Sequence, residues 1–266
     1  MMIDLKNTTF IIPVRIESQD RYRNLHLSLL YLTTHLDTNI IVCESDVTRL
    51  VPDVLEQIPN NSQIKYLHHF TNDKLFHRTK LLNEMLVESK TDIVVNYDCD
   101  VVLPLNSYIK AVELCAVEYD LMYPFSFGDN AQCKVALDQQ SIENFKNNFD
   151  LEALPGVMGR AEYGFCQFFK RQSYIDGFME NENFMAYGPE DYERAYRWHK
   201  LGYKVGRING MVYHFEHSRT PNSSTDNPFM KTNDNLFDKL KAMGREETEE
   251  YYQTQQYYQH YQSLNG

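Results

Sequence analysis

The chain has 266 residues with 42% apolar content, which suits one folded domain with a sizeable core and excludes a disordered or membrane-spanning class. Its net charge of −11 argues against a nucleic-acid backbone as the main partner. No window supplies the roughly 20 apolar residues of a membrane span, and the opening "MMIDLKNTTF" lacks the basic and apolar regions of a signal peptide, so a soluble, intracellular protein is expected.

Thr9–Ile12 is a short apolar strand ending at Pro13. Leu25, Leu29, Leu32 and Leu36 recur at helical spacing and predict an amphipathic helix over Gln19–Leu36. Asn39–Cys43 predicts a second strand ending at Glu44, Ser45–Glu56 a helix, and Gln63–His68 a third strand. Phe76–Glu88 is helical, with Leu81/Met85 and Leu82/Leu86 as i,i+4 pairs, and Asp92–Tyr97 is a fourth strand. This alternation predicts βαβ units and a mostly parallel sheet, whose ligands sit beyond the carboxyl ends of the strands. Further on, Asp120–Pro124 and Gly164–Lys170 read as strands, and residues 131–155 as a polar loop with a short helix. "YGPEDYERAYRWHKLG" reads as a helix opened by Pro189 and closed by Gly202, with Tyr192, Ala195, Tyr196 and His199 as its buried stripe. Residues 203–208 and 211–218 are two more strands, and the chain is helical from Asn227 on. The scattered cysteines, Cys43, Cys99, Cys115, Cys133 and Cys166, have no metal-ligand spacing and read as reduced core thiols.

Three clusters carry chemistry. In "TDIVVNYDCDVVLP", Asp98 and Asp100 close an apolar strand; two carboxylates at i and i+2 point the same way and repel unless a divalent cation lies between them, the plain alternative being two surface acids on a solvated turn. Glu190 and Asp191 follow a Gly-Pro turn at a helix N-terminus, and two acids are more than dipole capping requires. In "YHFEHSRTPNSS", strand alternation sets His214 and Glu216 on one face and Phe215 and His217 on the other; an imidazole with a carboxylate forms a mixed N/O set suited to Mn2+ over Mg2+.

Together these residues resemble a glycosyltransferase of the GT-A type, with the nearest likeness to the β1,4-galactosyltransferases and related inverting family-2 enzymes. "FIIPVR", "FHRTKLLNEM", "DCDVVLP" and "YGPEDYERAYRWHKLGYKVGRI" with "HSR" match that group's motifs in order, over about Thr9 to Arg219. The resemblance implies a GT-A α/β fold, Rossmann-like with helices flanking the sheet, as a catalytic domain over residues 1–226 and a helical, Tyr/Gln-rich extension over 227–266. It implies metal ligation by Asp100 and His217. His214 stands where those enzymes have a metal-binding methionine and is a third candidate ligand. Pro13, Val14, Arg15, Phe76, Arg78, Asp98 and Cys99 would line the nucleotide-sugar site, Phe76 and Arg78 at the uracil. Glu44 resembles the acid that family-2 enzymes place near the nucleoside. Asp191 would be the catalytic base, and Glu190 a contact to a donor or acceptor hydroxyl. Implied partners are a UDP-sugar, Mn2+ (or Mg2+) and a glycan or other hydroxyl acceptor, in polysaccharide biosynthesis. The acceptor-covering tryptophan is replaced by Ala186-Tyr187, and Pro189 replaces a glycine. With no Golgi anchor in view, the chain reads as a bacterial or viral cytosolic enzyme, at most peripheral to a membrane.

A nucleotidyltransferase is a rival, weakened because "PVRIESQDRYR" contains no phosphate-loop glycine. A retaining transferase and a carbohydrate-binding protein with a decayed site stay open. Tyr251, Tyr252, Tyr257, Tyr258 and Tyr261 in the tail suggest a helix face packed on the domain or on a second subunit; an acceptor-docking arm or sugar-accepting tyrosines are the rivals.

Overall fold

The computed structural model describes residues 2–265. The chain begins with β1 (Ile3–Val14), α1 (Gln19–His35), β2 (Leu36–Asp46), α2 (Val51–Leu55), β3 (Ile64–Phe70), α3 (Arg78–Glu88) and β4 (Ile93–Tyr97). β5 (Val101–Val102), α4 (Leu105–Val117), β6 (Leu121–Tyr123), β7 (Gly128–Val135), α5 (Gln139–Asn148), β8 (Gly156–Ala161) and β9 (Cys166–Lys170) follow. The last part holds α6 (Arg171–Asp176), α7 (Glu190–Leu201), β10 (Val205–Arg207), β11 (Val212–Phe215), α8 (Met230–Ala242), α9 (Arg245–Gln253) and α10 (Gln256–Asn265).

A seven-stranded sheet runs in the order β10-β6-β9-β4-β1-β2-β3. Its β1/β2, β1/β4, β2/β3 and β6/β10 pairs are parallel, and β9 alone runs antiparallel to its neighbours β4 and β6. The expected mostly parallel α/β sheet is present. Phe10, Ile11 and Ile12 of β1 and Val94 and Val95 of β4 are buried, as continuous apolar runs must be when both faces of a sheet are covered. Pro13 is tolerated inside β1 because pairing with β4 ends at Ile11/Asn96, leaving only β2 beside it. A second, four-stranded sheet, β5-β11-β7-β8, stands beside the end of β4.

Several expected elements differ. The helix predicted over Ser45–Glu56 shrinks to α2, because β2 continues through Asp46 and the Glu44 carboxylate accepts from Leu50 N (2.9 Å) and Val51 N (3.2 Å), capping the helix only there. Residues 131–155 hold most of β7 as well as α5, and α4, α6 and β8 have no counterpart in the sequence reading. Of the stripe expected to be buried in α7, Ala195 alone is buried. Tyr192 and Tyr196 are exposed, whereas Glu193, Arg194, Arg197 and Trp198 are buried. The charges can go inside because they are paired: Arg194 grips Glu180 (2.6 and 2.9 Å), and Arg197 grips Glu193 (2.9 Å).

The tail folds back onto the domain. Leu240 of α8 and Tyr252 of α9 share an apolar cluster with Phe178, Phe184 and Leu201, and Tyr261 of α10 joins the main core. All five cysteines are free and buried. Among the described residues, no helix is long and apolar enough to cross a membrane.

Candidate active site

A cleft of about 500 Å3 opens at the carboxyl ends of β1 and β4, where a parallel sheet offers a binding crevice. Of the thirteen side chains proposed from the sequence, Glu44 alone is not on its wall. Pro13, Val14, Arg15, Phe76, Arg78, Asp98, Cys99, Asp100, Glu190, Asp191, His214 and His217 all line it. Glu44, in β2, is buried against the start of α2 and also accepts from the Tyr66 hydroxyl (2.7 Å), so its carboxylate is spent on holding β2, β3 and α2 together.

Asp100 lies in the turn between β4 and β5, with His214 and His217 around it. His217 Nε2 is 3.2 Å from Asp100 Oδ2, and His214 Nε2 is 3.7 Å from Oδ1. One ligand atom from each of the three lies within 4.8 Å of the others. The alternation that separated His214 from His217 fails because β11 ends at Phe215, after which the chain turns. Each imidazole has its Nδ1 engaged elsewhere: His214 with Glu216 Oε1 (3.3 Å), His217 with Ser218 O (2.9 Å). Nε2 is therefore the atom turned to Asp100 in both rings. Burial alone would raise the Asp100 carboxyl, but His214, His217 and Arg21 outweigh it and hold the group well below the usual carboxylate range. One carboxylate and two imidazoles within reach of one ion are a mixed O/N donor set that fits a divalent transition metal.

The two aspartates of the DCD turn have separate tasks. Asp98 turns away from the histidines, accepts from Arg78 Nη2 (2.8 Å) and from Phe165 N (3.2 Å), and donates its own N–H to Phe165 O (2.9 Å). Arg78 stands among acids: Nη1 is 3.8 Å from Glu190 Oε1 and 3.6 Å from Asp191 Oδ1. Arg194 also binds Asp191 Oδ1, at 2.9 Å. Glu190 is buried, and burial together with the Asp191 charge pushes its carboxyl up to about 8. Glu190 Oε2 and Arg78 Nη1 are buried without a hydrogen-bond partner. Phe165 and Ala186, both on the cleft wall, have φ of 68° and 55°, the left-handed backbone that concentrates at functional sites.

Arg21 was not singled out from the sequence. It lines the cleft from the first turn of α1, with Nη1 3.7 Å from Asp100 Oδ2. The rule that ligands gather beyond strand ends would have found it, since α1 starts just past β1. Lys134, Arg160 and Tyr163 come from β7, β8 and the segment after β8, elements the sequence reading left out.

No family model and no curated protein matches the chain. Solved structures do. A mannosyltransferase from Pyrobaculum calidifontis, PcManGT, in complex with GDP-Man and Mn2+, aligns over 82% of this chain and 58% of its own, at 14% identity and a TM-score of 0.51. GalNAc-T7 with UDP, GalNAc and Mn2+ aligns over 87% of this chain and 47% of its own, at 12% identity and a TM-score of 0.57. The chain thus spans about half the length of these proteins. The mostly parallel sheet, the crevice at its strand ends and these two likenesses give the chain the GT-A fold of glycosyltransferases.

Proposed function

We propose that the chain is a metal-dependent, inverting glycosyltransferase that moves a hexose or N-acetylhexosamine from a UDP-sugar to a hydroxyl of a glycan or other acceptor. The observation that carries this reading is one cleft lined both by the Asp100–His214–His217 cluster and by the Glu190–Asp191 pair. The Mn2+ held by both solved structures, with GDP-Man in one and UDP and GalNAc in the other, supports it. Asp100, His217 and His214 would hold the cation, which supplies positive charge to a departing nucleoside diphosphate. Arg21 adds a second positive charge beside Asp100. Pro13, Arg15 and Phe76 wall the uridine end, where the Arg15 guanidinium lies 6.0 Å from the Phe76 ring centroid.

Asp191 accepts the proton of the acceptor hydroxyl. The acceptor oxygen bonds to the anomeric carbon as the bond from that carbon to the diphosphate oxygen breaks. Arg194 and Arg78 fix the Asp191 carboxylate for this step. Glu190 holds its proton at neutral pH and offers it in a hydrogen bond to a sugar or acceptor oxygen.

Replacing Asp191 with Asn lowers transfer by about 100-fold or more, while Mn2+-dependent UDP binding survives. Loss of both would refute the role given to Asp191. A panel of UDP-sugars assayed for Mn2+-dependent hydrolysis identifies the donor, and NMR of the product anomer separates inversion from retention.

A further inference from the structure

The loop after His217 is fastened to the first turn of α1 by one carboxylate. Asp20 Oδ2 accepts from both Ser218 N (2.6 Å) and Ser218 Oγ (2.7 Å), across 198 residues of sequence. Its other oxygen, Oδ1, serves α1 itself, accepting from Arg21 N (2.9 Å) and from the hydroxyl of Ser18, the residue before the helix. The two oxygens therefore have separable tasks, one within the helix and one on the loop.

Ser218 is the residue that orients His217. Its carbonyl oxygen is 2.9 Å from His217 Nδ1, so an N–H there leaves Nε2 free to face Asp100. The far end of the loop is held independently: Thr220 Oγ1 and Asn222 Nδ2 donate to Glu17 (2.8 and 2.9 Å), and Asn222 Oδ1 accepts from Phe76 N (2.8 Å). The peptide before His217 is held from α1 as well, its Glu216 carbonyl accepting from Arg23 Nη2 (3.2 Å) and Asn24 Nδ2 (3.3 Å), whereas the peptide after it, which carries the Ser218 N–H, is held by Asp20.

From this geometry we infer that Asp20 is a positioning residue of the metal centre: by holding Ser218 it sets the direction of the His217 imidazole toward Asp100. The inference rests on the proposed metal site and adds a residue that the motifs do not contain. Asp20 and its neighbour Arg21, which reaches Asp100 from the same turn, both bring the start of α1 to the site. Burial alone would raise the Asp20 carboxyl, but the hydrogen bonds from Ser18 and Ser218 outweigh it and keep the group well below the usual carboxylate range.

The test is Mn2+ affinity in the presence of UDP, read from the electron paramagnetic resonance signal of free Mn2+, beside the melting temperature of each variant. Asp20→Ala is expected to weaken Mn2+ binding about 10- to 100-fold, the usual effect of removing a group that orients a ligand. Ser218→Ala, which leaves the α1 cap untouched, weakens it less, and the double variant binds no more weakly than Asp20→Ala alone. A lowered melting temperature with Mn2+ affinity unchanged would mean that Asp20 only caps α1, and would overturn the inference. If Asp20→Ala does not fold, unchanged affinity in Ser218→Ala overturns it equally. A wild-type chain that binds no Mn2+ with UDP sinks the metal site itself, a different failure from intact binding in both variants.

Discussion

Tyr252 Oη donates a 2.5 Å hydrogen bond to Glu193 Oε1 across 59 residues of sequence, and the Arg197 guanidinium that pairs with the same glutamate lies 4.6 Å from the centre of the tyrosine ring. Asn181 Nδ2 donates to the same hydroxyl (2.9 Å). A tail residue thus completes the buried charge cluster of α7, the helix that begins with Glu190 and Asp191. Removing only the hydroxyl leaves Glu193 and Asn181 short of a partner in a dry site. Tyr252→Phe should cost about 1–3 kcal/mol, and Tyr252→Ala about 3–5 kcal/mol as the cavity is added. Urea unfolding measures both; an unchanged midpoint in Tyr252→Phe would show that the hydroxyl is idle.

Arg78 is the cation that Asp98, Glu190 and Asp191 have in common. Its removal leaves like charges facing one another with little water. Arg78→Ala should destabilise by about 3–5 kcal/mol, the cost of breaking a buried pair. At pH 9, where Glu190 is also ionised, adding Glu190→Gln removes one of the three charges and should restore part of that loss. Equal unfolding midpoints for the single and double variants would contradict the shared role.

Glu190 makes stability depend on pH. The unfolded chain releases this proton near 4.5, whereas the native state keeps it until about 8. Between those values the native state binds more protons, so its stability falls as pH rises through that window and stays lower above it. Glu190→Gln abolishes the term. The variant should melt several degrees above the wild type at pH 9, with the gap closing by pH 5. A gap that is constant with pH would mean that the carboxyl is not raised.

Asp100 is the only carboxylate of the cluster that both imidazoles face. Asp100→Ala should weaken Mn2+-dependent UDP binding by more than about 10-fold, and chelation with EDTA should reduce the wild type to the same level. Calorimetric titration of UDP with and without Mn2+ checks it. Full-strength Mn2+-dependent binding by the variant would remove the cluster from the mechanism.

Much of the cleft was legible because its residues sit at strand ends, and strands announce themselves by apolar runs such as Ile93-Val94-Val95. The acids and histidines then follow at fixed offsets. What failed did so for physical reasons. The face of α7 was misread because a helical wheel sees Tyr192 and Tyr196 as apolar and Arg194 as polar, and cannot know that Glu180 waits inside to neutralise the arginine. Glu44 looked like a ligand because it ends β2, but its partners Leu50, Val51 and Tyr66 claim it once the chain folds. Asp20 could not be seen, since its partner Ser218 becomes a neighbour only in three dimensions.

The dependence of α7 on Tyr252 also bears on when the site can exist during synthesis. A ribosome that has just finished α7 has made the acids, but not the ring on which Arg197 rests. A nascent chain would hold that helix with an unfinished interior until α9 emerges, so proteases meeting chains stopped before Tyr252 should cleave at α7 more readily than in the whole chain. The cleft wall that α7 supplies would then be completed late.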